Sequence, residues 1–148
     1  MEEKVFFKTI FGDIYETKEI LKTLTKHKIY KTWNNEHVAE SEIVQFSNDI
    51  SKLISLEDLV RKTYVFVNDL LQHEFSMYYV TNKDFKIIGM YEDGVNKFYE
   101  LEEFLKTTVD YLESQLLDDA IDEEDSEQAT QIVNEINLYL NNKEENND

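Results

Sequence analysis

The chain has 148 residues, with 32 Asp and Glu against 15 Lys and Arg and no cysteine, for a net charge of −17. That length suits one domain burying roughly 68–70% of its unfolded surface, and an apolar share of 41% with 13% aromatic residues excludes a globally disordered chain. The missing cysteines exclude disulfides, thiolate zinc sites, iron–sulfur clusters and cysteine nucleophiles, while the charge opposes non-specific attraction to nucleic-acid backbones and anionic membranes.

The N-terminal stretch MEEKVFFKTIFGD opens with acids and is followed by no small-residue cleavage site, so it does not read as a signal peptide. No apolar run approaches the 18 residues of a membrane span. A cytoplasmic protein is expected. Lysine outnumbers arginine 14 to 1 and proline is absent, a bias that fits AT-rich coding and a bacterial or bacteriophage source.

Lys4 to Ile10 is rich in aromatic and branched residues and predicts a strand ending at the Gly12-Asp13 turn signal. Thr17 is placed to cap a short helix through Lys26, with Ile20, Leu21 and Leu24 on one face. Lys28 to Trp33 predicts a second strand, closed by Asn34-Asn35. From Val38 the apolar residues Ile43, Val44, Phe46, Ile50, Leu53 and Ile54 recur at three- and four-residue intervals, which predicts a helix. A break and a fresh start follow at Ser55, where Ser55 caps and Glu57 and Asp58 suit the positive end of the macrodipole. Leu56, Leu59, Val60, Thr63, Val67, Leu70 and Leu71 form the stripe of this next helix, broadened by Val65 and Phe66.

Phe75 to Val80, Phe85 to Tyr91 and Lys97 to Tyr99 predict an antiparallel meander, joined by Thr-Asn-Lys-Asp and Glu-Asp-Gly-Val-Asn turns. Gly89 in its middle strand reads either as a bulge or close backbone approach, or as an incidental glycine opposite a large aromatic. Leu101, Phe104, Leu105, Thr108, Leu112 and Leu116 mark one face of a long helix. A matching stripe returns at Ala129, Ile132, Val133, Ile136 and Leu140. The expected architecture is therefore α+β: an antiparallel meander of three to five strands packed with about four helices and ending in a C-terminal helical hairpin. Residues 1–142 form one domain in this reading, and 143–148 an acidic, disordered tail.

The sequence carries no GxSxG, HExxH, Walker A or GxGxxG motif, and its three glycines cannot build a phosphate cradle. His27, His37 and His73 stand apart at element ends and read as surface or capping residues. The aromatics of the meander could stack bases, but single-strand binders pair aromatics with a positive groove, and Lys83, Lys86 and Lys97 supply only a small one. Packing is the better account. No catalytic residue, metal ligand or cofactor is assigned.

Charge supplies the one functional lead. Residues 1–100 hold 17 acids and 13 bases, whereas residues 101–148 hold 15 acids and 2 bases. Between the last two helices, Leu117-DDAIDEEDSE-Gln128 lacks the glycine and spacing of an EF-hand loop, so calcium is disfavoured. Acids at i and i+4 on a helix lie about 6 Å apart along its axis, commensurate with phosphates about 3.4 Å apart along a DNA strand. Asp110, Glu113, Asp118, Asp119, Asp122, Glu123, Glu124, Asp125 and Glu127 are thus the candidate contact surface for a basic protein, such as a nucleic-acid-binding enzyme. The competing account is a solvated connector.

The expected function is a non-enzymatic acidic inhibitor resembling DNA in its charge, of the kind a bacteriophage directs at a host enzyme or defence system. An immunity protein or antitoxin against a basic toxin fits the same features. A small enzyme with a dispersed Asp, Glu, His and Tyr site is the rival of a different class. Direct nucleic-acid and membrane binding are not expected, and the oligomeric state is left open.

Overall fold

A computed structural model describes residues 5–16, 19–22, 28–31, 37–72 and 74–146. The protein is α+β. Among the described residues there are nine strands in three three-stranded antiparallel sheets, together with three α-helices and two 3-10 turns. The chain forms two compact units, one made of residues 1–54 with 141–148, the other of Ser55–Leu140.

The first unit is built from short strands. β1 (Phe6–Thr9) is central in the order β2-β1-β6, flanked by β2 (Ile14–Glu16) and β6 (Ile43–Ser47). The β1–β2 turn closes through the Thr9 side chain, whose hydroxyl accepts from the Phe11 and Asp13 amides at 3.3 and 3.2 Å. Gly12, at φ +85°, takes the left-handed backbone there that glycine adopts without steric cost. A second sheet runs β3 (Glu19–Lys22), β4 (Lys28–Lys31), β5 (His37–Ala39). Phe7, Tyr15 and Val38 form a core cluster with Ile43 packed against it. At the chain's other end, the Asn142 side-chain oxygen accepts from the Ile50 amide at 3.0 Å, a buried bond.

Two helices expected in this unit are strands instead. Glu19–Lys22, expected as helix, pairs with Lys28–Lys31 as β3, while Thr17, Leu24 and Lys26 lie outside the described residues. Over residues 38–54, the three- and four-residue spacing belongs to β5, a 3-10 turn at Glu40–Glu42, β6 and a 3-10 turn at Ile50–Lys52. Val44 and Phe46 share one exposed face of β6, which a period of two explains as well as a helical period over so few residues. With these two segments in strands, three α-helices are found among the described residues where about four were expected.

The second unit follows its pattern closely. Ser55 caps α1 (Leu56–Leu70), its hydroxyl accepting from the Asp58 amide at 3.0 Å, and Leu59, Val60, Thr63 and Val67 are buried. β7 (Met77–Thr81), β8 (Ile87–Glu92) and β9 (Lys97–Tyr99) make the expected meander. Two ties join α1 to it: the Tyr64 hydroxyl donates to the Met77 carbonyl at 2.9 Å, and the Ile87 amide donates to Glu57 at 3.3 Å. α2 (Leu101–Leu117) buries Phe104, Leu105, Thr108, Val109 and Leu112. α3 (Glu123–Asn146) buries Ala129, Ile132, Val133, Ile136 and Tyr139, and its backbone carries the helix through residues 143–146, which the sequence assigns to the tail.

Gly89 stands next to a register shift at Val80–Thr81. A side chain there would collide with the Phe98 ring and lie 2.7 Å from the Tyr99 carbonyl oxygen. The glycine is required by close approach, and the aromatic covers the space a side chain would fill.

Among the described residues, no helix is long and apolar enough to cross a membrane.

Candidate functional site

The nine candidate acids fall on the end of α2, the connection after it and the start of α3. Asp110 and Glu113 are exposed on the outer stripe of α2, Asp118 is its C-cap, Asp119 and Asp122 lie in the connection, and Glu123, Glu124, Asp125 and Glu127 open α3. All are exposed except Asp125, which is half-buried. From Gln128 to Asn142 the exposed positions of α3 change character: Gln128, Asn137 and Asn141 are neutral amides. Over residues 123–142 the exposed charge of α3 is therefore gathered at its start. Lys106 is the sole base from Leu101 to Leu140.

Local backbone geometry splits the acidic run into two parts. The α2 terminus is a Schellman motif: Ala120 donates its amide to the Gln115 carbonyl at 3.1 Å and Asp119 to that of Leu116 at 3.3 Å. Asp119 occupies the left-handed position of this motif, at φ 51°, where glycine is usual. Both Asp118 and Asp119 thus sit at the negative end of a helix dipole, which disfavours them, and Asp119 adds left-handed strain. Glu123, Glu124 and Asp125 have the opposite setting, because the first turn of α3 offers unpaired amides and a positive dipole end. Helix physics accounts for the second group and opposes the first.

Asp125 also lines a cleft of about 480 Å³ between α1 and α3. Its walls are Val65, Phe66 and Leu70 on α1 and Ile132 on α3, and Asp69 and Asp125 line it as well. At Lys62, which also lines the cleft, α1 is bound to α3: the ammonium donates to both carboxylate oxygens of Glu135, at 2.6 and 2.8 Å. Glu135 is only 1% exposed and Lys62 about a third. Glu135 accordingly leaves the count of surface acids, although it belongs to the acid-rich C-terminal third.

The sheet presents a different surface. Tyr78 pairs across to Tyr91 and Tyr91 to Phe98, so the three rings share one face of the meander, with Tyr78 and Phe98 exposed. Tyr91 also hydrogen-bonds Asn96. On the opposite face Tyr79 stacks near Tyr64, ring centroids 4.6 Å apart. Lys97 lies over the Tyr99 ring at 4.5 Å. The Tyr99 hydroxyl donates to Glu92 at 2.7 Å, and that bond, then burial, pushes its pKa up. Burial likewise raises Tyr64 and Tyr79. All three are moved away from neutrality, so they remain protonated hydrogen-bond donors and are poorly suited as general bases.

His27 and His73 lie outside the described residues, and of His37 only the backbone, in β5, is described. Among the described residues no group of three or more His, Asp or Glu is arranged to hold a metal ion. The cleft escapes a reading of the sequence because its two acids are 56 positions apart. Its trace is the pair Val65 and Phe66, which widen the apolar stripe of α1 beyond what one packing face needs. No protein-family model, curated protein or solved structure matches this chain.

Proposed function

We propose that this is a non-enzymatic binding protein whose carboxylates from Asp110 to Glu127 occupy a basic, nucleic-acid-binding surface of another protein and so inhibit it. Asp118 and Asp119 carry the reading. They place two negative charges where the α2 dipole opposes them, and one takes a backbone position that favours glycine. Departures from local preference concentrate at functional sites, where stability is exchanged for contact. A connector serving only solubility would keep its acids at the α3 N-terminus, where they stabilise the helix.

Exposed carboxylates on one end of a unit also suit electrostatic steering. Such a patch raises the association rate with a cationic surface and makes it fall with ionic strength. The test is affinity capture from a host lysate, challenged with duplex DNA and repeated with Asp118, Asp119, Asp122, Glu123, Glu124 and Asp125 replaced by Asn or Gln. A basic partner that DNA displaces and that the neutralised protein no longer retains supports the reading. Undiminished capture by the neutralised protein rejects these acids as the contact.

A further inference from the structure

We propose that the cleft between α1 and α3 seats an apolar side chain from a basic, amphipathic segment of the partner. Recognition would then require an apolar residue flanked by Lys or Arg, and positive charge alone would not suffice. The proposal rests on the acidic-contact reading and specifies its partner.

The cleft is formed by facing stripes of two helices. Lys62, Phe66 and Asp69 recur at helical intervals on α1, and Asp125, Gln128 and Ile132 do so on α3. At 1.5 Å per residue the α3 wall runs about 10 Å, the length of two or three side chains of a bound peptide. Its volume lies within the range of side-chain and small-ligand pockets, about 300–1,000 Å³. Val65 is 53% exposed, so part of the apolar wall is open to solvent.

Charge selects the occupant. Asp125 borders the apolar walls at the start of α3 and continues the exposed acidic run, which disfavours an anionic or acidic guest and favours cations beside a buried apolar group. Lys62 does not offset this, because its ammonium is engaged by both oxygens of Glu135. Asp125 belongs to the cleft and to the acidic run alike, so a segment steered by the exposed carboxylates arrives at the cleft mouth. Apolar anchors in desolvated pockets, ringed by polar contacts, supply most of the affinity at protein interfaces.

Two synthetic peptides of equal length and charge test this against the full chain at low salt. One carries Lys with Leu along a helical face, and the other carries Ser in place of each Leu. Fluorescence anisotropy should show the Lys/Leu peptide binding about tenfold tighter, the effect of burying one aliphatic side chain. Gln128→Trp, at an exposed neutral position, fills the cleft without changing charge and should abolish that preference while leaving the Lys/Ser peptide within about twofold. Val65→Ser, which removes apolar wall instead of adding bulk, should act in the same direction. Neutralising Asp118, Asp119, Asp122, Glu123 and Glu124 should weaken both peptides alike. Equal binding of the two peptides, or a preference that survives both cleft variants, overturns the cleft proposal and leaves the acidic contact standing. Failure of both peptides to bind, or indifference to neutralisation, overturns the acidic reading and the cleft with it.

Discussion

The two units share three-stranded antiparallel sheets and differ in what surrounds them and in charge. The unit of residues 1–54 and 141–148 holds 12 acids and 9 bases, while Ser55–Leu140 holds 20 acids and 6 bases. Nearly all of the protein's net charge therefore belongs to the second, where helices bury the aromatic and aliphatic side chains. In the first, short strands leave Phe11, Val44 and Phe46 exposed. A sheet with long amphipathic helices can hold a large surface charge, since its core is specified independently of its surface. The near-neutral unit has little such reserve.

The sharpest test of that contrast is a pair of phenylalanines. Phe104, fully buried on α2, should lose about 3–5 kcal/mol on replacement by Ala. Phe46, whose exposed ring lies 6.0 Å from that of Phe7, should lose only about 0.5–1.5 kcal/mol. Denaturant unfolding of the two variants measures both, and equal losses would remove the distinction between a covered and an open sheet.

Next in size is the pair that joins α1 to α3. Lys62→Met leaves the Glu135 carboxylate without its ammonium partner in a buried setting and should cost about 3 kcal/mol near neutral pH. Glu135→Gln should cost less, because Lys62 keeps access to solvent. Equilibrium unfolding of the two variants near neutral pH checks the ordering.

A smaller effect has the opposite sign. Asp119→Gly relieves a left-handed residue and removes an acid from the α2 C-terminus, so it should raise stability by about 1 kcal/mol. The same variant should bind the basic partner more weakly. Stabilisation with unchanged binding would return Asp119 to the role of a simple connector residue.

The finest comparison sets one carboxylate of each unit side by side. Asp49 is held below its ordinary pKa mainly by hydrogen bonds from the Ser51 hydroxyl and amide, Glu57 mainly by the Arg61 guanidinium and then the Ile87 amide. Depressed carboxylates add stability above their unfolded pKa and lose it as pH falls through the folded value. Both contributions should therefore fade below about pH 4. Added salt should lift the Glu57 titration toward its ordinary position more than that of Asp49, since an exposed ion pair is screened and a neutral hydroxyl bond is not. Carboxyl NMR titrations at two salt concentrations distinguish them.

These contrasts also explain what could be read from sequence. α1, the meander, α2 and α3 are legible because their periodicity persists over many residues or is punctuated by Asn, Asp and Gly turns. Ser55 was identifiable as a cap because the chemistry of a cap is local. Residues 38–54 are not legible in this way, because β6 is defined by pairing with β1, more than thirty positions earlier, and over so short a span the apolar spacing does not separate a helical period from a period of two. At the candidate site, the acids were visible as composition. Their division into helix-favoured and helix-opposed groups was not, because it depends on where α2 ends.

Helices that meet through aliphatic stripes can slide by a turn at little cost, since one Ile or Leu replaces another across the seam. The Lys62–Glu135 pair acts as an indexing pin against that motion. A one-turn slip of α3, about 5.4 Å, would present Glu135 to Asp58 or Phe66, a like charge or an apolar ring, in place of an ammonium. The single setting that remains is the one that places Asp125, Gln128 and Ile132 of α3 beside α1 at the cleft, so the cleft is positioned by an ion pair it does not need for binding.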